Sequence, residues 1–320
     1  MKKVWVDADP GVDDTFALAM LFEAPEVVEV IGVSTVFGNA DVAQTTRNAR
    51  ILLEAAGKSH LPVARGACRP LAIPLDTSPF VHGFNGLGNM SLPQPSMAES
   101  PLSGPEAIIK VILGHPHEVT LLLIGPLTNA AMALILEPAI VDLVKEVVIM
   151  GGAVRCPGNI TPAAEANFYH DPHAAQIVMS ARWPIYLAPL DVCAYGMVPQ
   201  LLLDQICCAD KPLTPFIAGA LPFYQKFLAI YDIYDRVDFP DALAVGYLLE
   251  PGIFTVEEVP VFVETEGSCL GQSVEVPSGK WYQDVQDRRE FLPHQTISRA
   301  KVLFKVDEGA FLDLVAGLLT

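Results

Sequence analysis

Four carboxylates fall within eight residues near the start of the chain, in the run Asp7-Ala-Asp9-Pro-Gly-Val-Asp13-Asp14. One Asp ahead of a helix is an ordinary cap. Four so close together repel one another, because like charges about 4 Å apart cost roughly 4 kcal/mol at an effective dielectric of 20. A bound cation relieves that repulsion, and an all-oxygen donor set favours Ca²⁺ or Mg²⁺ over zinc. The run reads as the carboxyl end of a strand, a Pro-Gly turn and the start of a helix. In open α/β sheets that edge is where ligands bind, and the helix start adds its positive dipole end.

The elements that must position these groups follow an alternating pattern. Lys3 to Val6, Val28 to Ser34, Val119 to Ile124, Glu146 to Met150 and Ile185 to Ala188 read as strands buried on both faces. Helical patterns lie between them at Val12 to Phe22, Val42 to Ala56, Pro105 to Leu113, Leu127 to Leu136 and Pro172 to Ser180. This predicts βαβ units and a doubly wound α/β fold with a mostly parallel sheet flanked by helices. No repeat or linker divides the chain, so one domain over 1–320 is expected. Residues 66–104, rich in Gly, Pro, Ser and His, form a long loop insertion, a length uncommon without a function. Residues 197–250 read as a helical cap, 257–277 as a late hairpin, and Asp307 to Leu319 as a closing helix.

The chain has 320 residues, 51% of them hydrophobic, and a formal net charge of −17. That charge argues against partners made of nucleic-acid phosphate or anionic membrane and suits a neutral or cationic ligand. The first residues, Met-Lys-Lys-Val-Trp-Val-Asp, show no export signal, and no apolar run is long enough to span a bilayer. Six scattered cysteines lack metal-ligand spacing and read as reduced thiols of a cytoplasmic protein.

A strand followed by Asp-x-Asp also opens haloacid-dehalogenase-like phosphatases, but Gly11 stands where that family has Thr or Val. The run from Asp7 through Asp14-Thr-Phe-Ala-Leu instead resembles the signature of the inosine-uridine preferring nucleoside hydrolase family. Further matches follow in order: Ser34-Thr-Val-Phe-Gly-Asn39, Thr46-Arg-Asn-Ala, His82-Gly-Phe-Asn-Gly-Leu-Gly, Gly125-Pro-Leu-Thr-Asn129 and Met150-Gly-Gly-Ala. The stretch Gly158-Asn159-Ile-Thr-Pro-Ala-Ala-Glu165-Ala-Asn167-Phe168, then Asp241-Ala-Leu-Ala-Val and Gly267-Ser-Cys-Leu-Gly-Gln272, complete the series.

The resemblance implies an enzyme that splits ribonucleosides into ribose and free base, as a homodimer or homotetramer. By the same resemblance, Asp9, Asp14, Asp241 and the backbone carbonyl of Ile124 ligate Ca²⁺. Asp13, Asn39 and Asn167 then hold the ribose, Asn159 and Glu165 its 5′-hydroxyl end, and Met150 lines the sugar pocket, with Phe168 beside it. Asp7 supports the loop. Cleavage of an N-glycosidic bond passes through a ribosyl cation, so negative potential and an activated water suit it. The ion acidifies the water, and Asp9 takes its proton. Direct attack by that water implies inversion.

One position departs from the pattern. Many members carry His immediately before the late Asp, thought to protonate the leaving base, whereas this chain reads Asp238-Phe-Pro240-Asp241. Tyr231 is a candidate to meet the base, although Phe223, Phe227, Ile230 and Tyr231 also read as a helical core stripe. His82 is expected near the pocket mouth, touching substrate with no assigned proton, and His170 and His173 are expected to be structural. Other readings keep the fold with a different N-riboside as substrate, or make the chain a calcium-bound nucleoside-binding protein without catalysis.

Overall fold

The computed structural model describes residues 1–276 and 298–320. Its strands, in chain order, are β1 (Lys2–Ala8), β2 (Val28–Thr35), β3 (Val63–Arg65), β4 (Val119–Leu123), β5 (Glu146–Met150) and β6 (Ile185–Ala188). They are followed by β7 (Val198–Pro199), β8 (Arg236–Val237), β9 (Phe254–Val263), β10 (Ser273–Glu275) and β11 (Ser298–Val306). Nine of these build one sheet in the order β10-β9-β11-β6-β5-β4-β1-β2-β3. β1 to β6 are parallel and β11 continues them beside β6. β9 and β10 add an antiparallel edge. The order turns back between β1 and β4, and such a switch opens a crevice at the carboxyl ends of the strands.

Side chains alternate across this sheet with the period of a pleated strand. Val4, Val6 and Ala8 join Leu122, Ile124, Val148 and Met150 in the core on one face. Trp5, Leu121, Leu123, Val147 and Ile149 fill the other. Both faces are covered, which explains the nearly unbroken hydrophobic runs in the sequence.

Two helices carry the acidic groups. Helix Val12–Phe22 follows β1 and is buried at every residue except Asp13. Helix Pro240–Leu249 is buried throughout, and Pro240 occupies its first turn, where no backbone donor is needed. Phe16 and Phe239 stack between them with ring centroids 4.1 Å apart and planes 8° apart, and Tyr224 lies 6.1 Å from Phe239. Both phenylalanines are fully buried. This stack fixes the distance between Asp14 on one helix and Asp241 on the other.

Helices Val12–Phe22 and Pro172–Ser180 and strands β5 and β6 keep the boundaries read from the sequence. The stretch 66–104 is irregular apart from the single turn Pro79–His82 and the first residue of helix Gly104–Gly114. It is tied down along its length: Asn48 Nδ2 donates to Asn85 O at 2.8 Å, Arg50 Nε to Met97 O at 2.8 Å, and Leu71 N to Asp171 Oδ2 at 2.9 Å. The 197–250 stretch folds into helices Gln200–Cys208, Thr214–Leu228 and Pro240–Leu249 with the small β7–β8 ribbon. The expected late hairpin is β9–β10, although its last residue, 277, lies outside the described residues. Asp307 is the cap of the closing helix Glu308–Leu319, accepting from Ala310 N at 3.0 Å. Among the described residues no helix is long and apolar enough to cross a membrane.

Phe239→Ala removes one partner of the stack and should lower the unfolding free energy by about 3–5 kcal/mol. Phe239→Leu, which refills most of the space, should cost clearly less. Denaturant titration of both variants checks this. A loss for the alanine variant within ±0.5 kcal/mol, the range of an ordinary surface change, would show that the stack does not hold the two helices together.

Candidate active site

The crevice at the β1/β4 switch opens into a chamber of about 370 Å³. Asp13, Asn39, Ile124, Met150, Asn167 and Asp241 line one part of it. Phe80, Tyr224, Phe227, Leu228, Tyr231 and Ile233 line another. One end therefore offers oxygen donors and the other an aromatic and aliphatic wall. Among the described residues no lysine or arginine lines it.

Asp9 leaves β1 into a site shaped by two glycines. A Cβ on Gly38, whose φ is +151°, would stand 2.0 Å from Asp9 Oδ2, and one on Gly125 would stand 2.6 Å from Asp9 Oδ1. Only residues without a side chain allow that approach. Asp9 Oδ2 accepts from Asn39 N at 2.7 Å. Asp14 Oδ2 accepts from Gly11 N at 2.8 Å and from Asn39 Nδ2 at 2.9 Å. Oδ1 of Asp9, Asp13 and Asp14 is buried with no hydrogen-bond partner among the described residues, and His82 Nδ1 comes within 3.8 Å of the Asp13 atom. Carboxylate oxygens of Asp13, Asp14 and Asp241 lie within 4.8 Å of one another.

These groups fit a metal ion. Buried carboxylates with unused oxygens and no cationic side chain nearby are stable only when neutralised by protons or a cation. Burial first, then the neighbouring carboxylates, pushes Asp9, Asp14 and Asp241 well above the ordinary carboxylate range. Asp7, behind them, donates nothing to the chamber: its Oδ1 accepts from Ser34 Oγ and Asn129 Nδ2, and burial raises it to about 7.

The geometry rearranges several sequence expectations. Asp13, expected on the sugar, belongs to the close acidic triplet, while Asp9 stands beside it. Ile124 lines the chamber, and its carbonyl oxygen already accepts from Asn167 Nδ2 at 3.2 Å. Asn167 Nδ2 also donates to Met150 O at 3.1 Å. Asn39 spends its amide on Asp14 and on Asp9 O, so it braces the acidic pair first. Glu165 lines the chamber, yet both its oxygens accept backbone N–H groups of Gly152, Asn167 and Phe168, capping helix Ala166–His170. Burial pushes its carboxyl to about 7. Asn159 is exposed at the rim, with Oδ1 on Ala166 N. Phe168 is fully buried and packs on Gly151 and Gly152 behind the wall, so it supports the pocket without touching a ligand. Its ring fills the space that those glycines leave.

On the apolar side, Tyr231 lines the chamber with 59% of its surface exposed and meets Phe227 edge-on at 5.4 Å. The core-stripe reading fails at Ile230, which is 74% exposed. His82 is deeper than a pocket mouth: it is buried, its Nδ1 accepts from Val12 N at 3.3 Å, and it stacks on Tyr224 at 5.7 Å. Burial lowers its pKa, against the pull of Asp13. His170 is buried as a structural residue. Sequence reasoning missed Phe80, Tyr224 and Asp238, all of which line the chamber. Aromatic residues at i and i+3 of a late helix, Tyr224 and Phe227, were the available signal.

The family model for the inosine-uridine preferring nucleoside hydrolases matches residues 4–313. The chain is 38% identical over 281 residues to uridine nucleosidase 1 of Arabidopsis thaliana, covering 85% of this chain and 81% of that one. It is 37% identical over 272 residues to the inosine-uridine preferring nucleoside hydrolase of Leishmania major, covering 83% and 85%. Among solved structures, a plant nucleoside hydrolase superposes with a TM-score of 0.90 at 29% identity, covering 100% of this chain and 99% of that one. A purine-preferring ribonucleoside hydrolase from Gardnerella vaginalis gives 0.87 at 28% identity, with 99% of both chains covered. A doubly wound sheet, an acidic cluster at its switch point and these likenesses over nearly the whole chain agree: it belongs to the inosine-uridine preferring nucleoside hydrolase family, enzymes that hydrolyse the N-glycosidic bond of nucleosides.

Proposed function

We propose that this protein is a calcium-dependent ribonucleoside hydrolase in which Asp9 is the general base. The observation that carries the reading is the cluster of buried carboxylates, with Oδ1 of Asp9, Asp13 and Asp14 unpartnered among the described residues, beside a chamber that Asp13 and Asp241 line together with aromatic side chains. A ribonucleoside has the same two-ended chemistry, hydroxyls on one side and a flat base on the other. Asp9, Asp14 and Asp241, with Ile124 O, would hold the ion, and Asp13 stands close enough to Asp14 and Asp241 to share that duty or meet a ribose hydroxyl. Calcium, when bound, offsets the carboxylate charge and lowers the pKa of a water beside it.

The chain's own residues supply the rest. Asn39 N fixes Asp9 through Oδ2, which leaves Oδ1 free to take a proton from water. Asn167 pins Met150 and the β4 end, shaping the sugar floor. The carboxylates stabilise positive charge as it develops on the ribosyl group. Tyr231 and Phe227 offer faces on which a base can stack. Six unpaired cysteines suit a reducing compartment, in keeping with a cytoplasmic enzyme.

Base release from a panel of purine and pyrimidine ribonucleosides should require Ca²⁺, stopping with a chelator and returning on re-addition. Asp9→Ala should lower kcat by about 10²–10⁴-fold, the usual share of a general base, with substrate still bound. Normal turnover by that variant overturns Asp9 as the base. Tight nucleoside binding by the wild type with no base release would make the protein a binding module instead.

Thermal melts test the metal. The raised carboxyls bind protons more tightly folded than unfolded, so metal-free protein should lose stability as pH rises. The decline begins near the unfolded carboxylate values of about 4 and continues past about 7, where Asp7 and Glu165 titrate. Calcium takes the place of those protons and should raise the melting temperature most at the high end. A pH-independent melting temperature without metal, or no calcium effect at pH 8, overturns it.

A further inference from the structure

The chamber holds one acid that none of these roles uses. Asp238 lines it, and its Oδ1 is closed off from solvent with no hydrogen-bond partner among the described residues. Its neighbours hold it rigidly. Val237 pairs with Val198 across the β7–β8 ribbon, and Phe239 is locked in the stack with Phe16. Burial first and then Asp13 raise Asp238, and Asp238 adds to the larger effect of burial at Cys193 and, after Asp13, at Tyr224 of the aromatic wall.

We propose that Asp238 is the catalytic acid that meets the departing base, the task for which Pro240 has no proton. The assignment rests on the nucleoside-hydrolase reading of the chamber. As the C1′–N bond breaks, its electron pair passes to the base. The Asp238 carboxyl proton moves onto a ring nitrogen or a conjugated heteroatom of that base, leaving Asp238 as a carboxylate. The attacking water gives its proton to Asp9, and solvent then reprotonates Asp238 and deprotonates Asp9. The sum is riboside plus water giving ribose plus neutral base.

Other acids of the chamber are occupied. His82 Nδ1 already accepts from Val12 N, and burial disfavours its charged form. Both oxygens of Glu165 hold backbone amides. Burial drives the Tyr224 phenol far above its ordinary value, making it a poor donor. Asp241 belongs to the acidic triplet. Burial, with help from Asp13, brings Asp238 to about 7, so the protonated form is well populated at neutral pH. An acid near the working pH transfers protons efficiently.

The test compares two leaving groups on wild type, Asp238→Asn and Asp238→Ala. Uridine and inosine expel bases that need a proton. A 4-nitrophenyl β-D-riboside expels a stabilised phenolate that does not. Asp238→Asn keeps the size and a hydrogen-bond donor but cannot give up a proton. Its kcat on the nucleosides should fall by about 10²-fold or more, with its rate on the nitrophenyl riboside within a few-fold of wild type. Retained nitrophenyl cleavage also shows the fold intact. Should Asp238→Ala unfold, the isosteric variant carries the same ratio. Equal losses on both substrate types, or no loss on nucleosides, overturns the assignment while leaving the hydrolase reading in place. Wild type that cleaves neither type overturns the hydrolase reading and this assignment with it.

Discussion

Mutual repulsion among buried carboxylates is the constraint around which this molecule is arranged. Asp9, Asp13, Asp14 and Asp241 meet at the carboxyl edge of the sheet, the first three each with an unpartnered oxygen, and among the described residues no lysine or arginine lines the adjoining chamber. Folding brings them together only because other interactions are strong enough to oppose the cost. The backbone amide of Asn39 satisfies Asp9 Oδ2, and the backbone amide of Gly11 and the side-chain amide of Asn39 both donate to Asp14 Oδ2. Gly38 and Gly125 let Asp9 sit against the main chain. The Phe16–Phe239 stack then clamps the two helices that bring Asp14 and Asp241 close. Protons or a cation complete the balance.

The second layer of organisation separates polar from aromatic groups. The polar end is built from strand ends and the turns directly after them: Asp13 after β1, Asn39 after β2, Ile124 after β4, Met150 closing β5. The aromatic end comes from the Pro79–His82 turn and from the helix ending at Leu228 and the turn beyond it. A sheet edge is rigid and dictates where charges sit. Loop and cap residues meet a ligand from the other side.

Much of this was legible in the residues. The acidic run announced a cation site because its spacing is local, and strand ends in an α/β sheet are predictable from hydrophobic runs alone. What escaped depended on side-chain direction. Nothing in the sequence around Glu165 says that both its oxygens turn to backbone amides, or that Asn39 spends its amide on Asp14. Phe168, adjacent to a matching motif, points behind the wall and not into it. Ile230 and Tyr231 are neighbours in a stripe that looked like core, yet one faces solvent and the other the chamber. Asp238 gave no signal at all, since a single Asp before Phe-Pro reads as a turn or a cap.

The long stretch 66–104 couples the wall of the chamber to its charged floor. It contributes Ser78, Phe80, Val81 and His82 to the wall. Its anchors lie on helix Val42–Ala55, at Asp171 and also at the acidic edge, where Ser78 N donates to Gly38 O and Val12 N donates to His82 Nδ1. A change at His82 is therefore felt in the main chain one residue before Asp13, so loop and sheet edge act as a single mechanical unit.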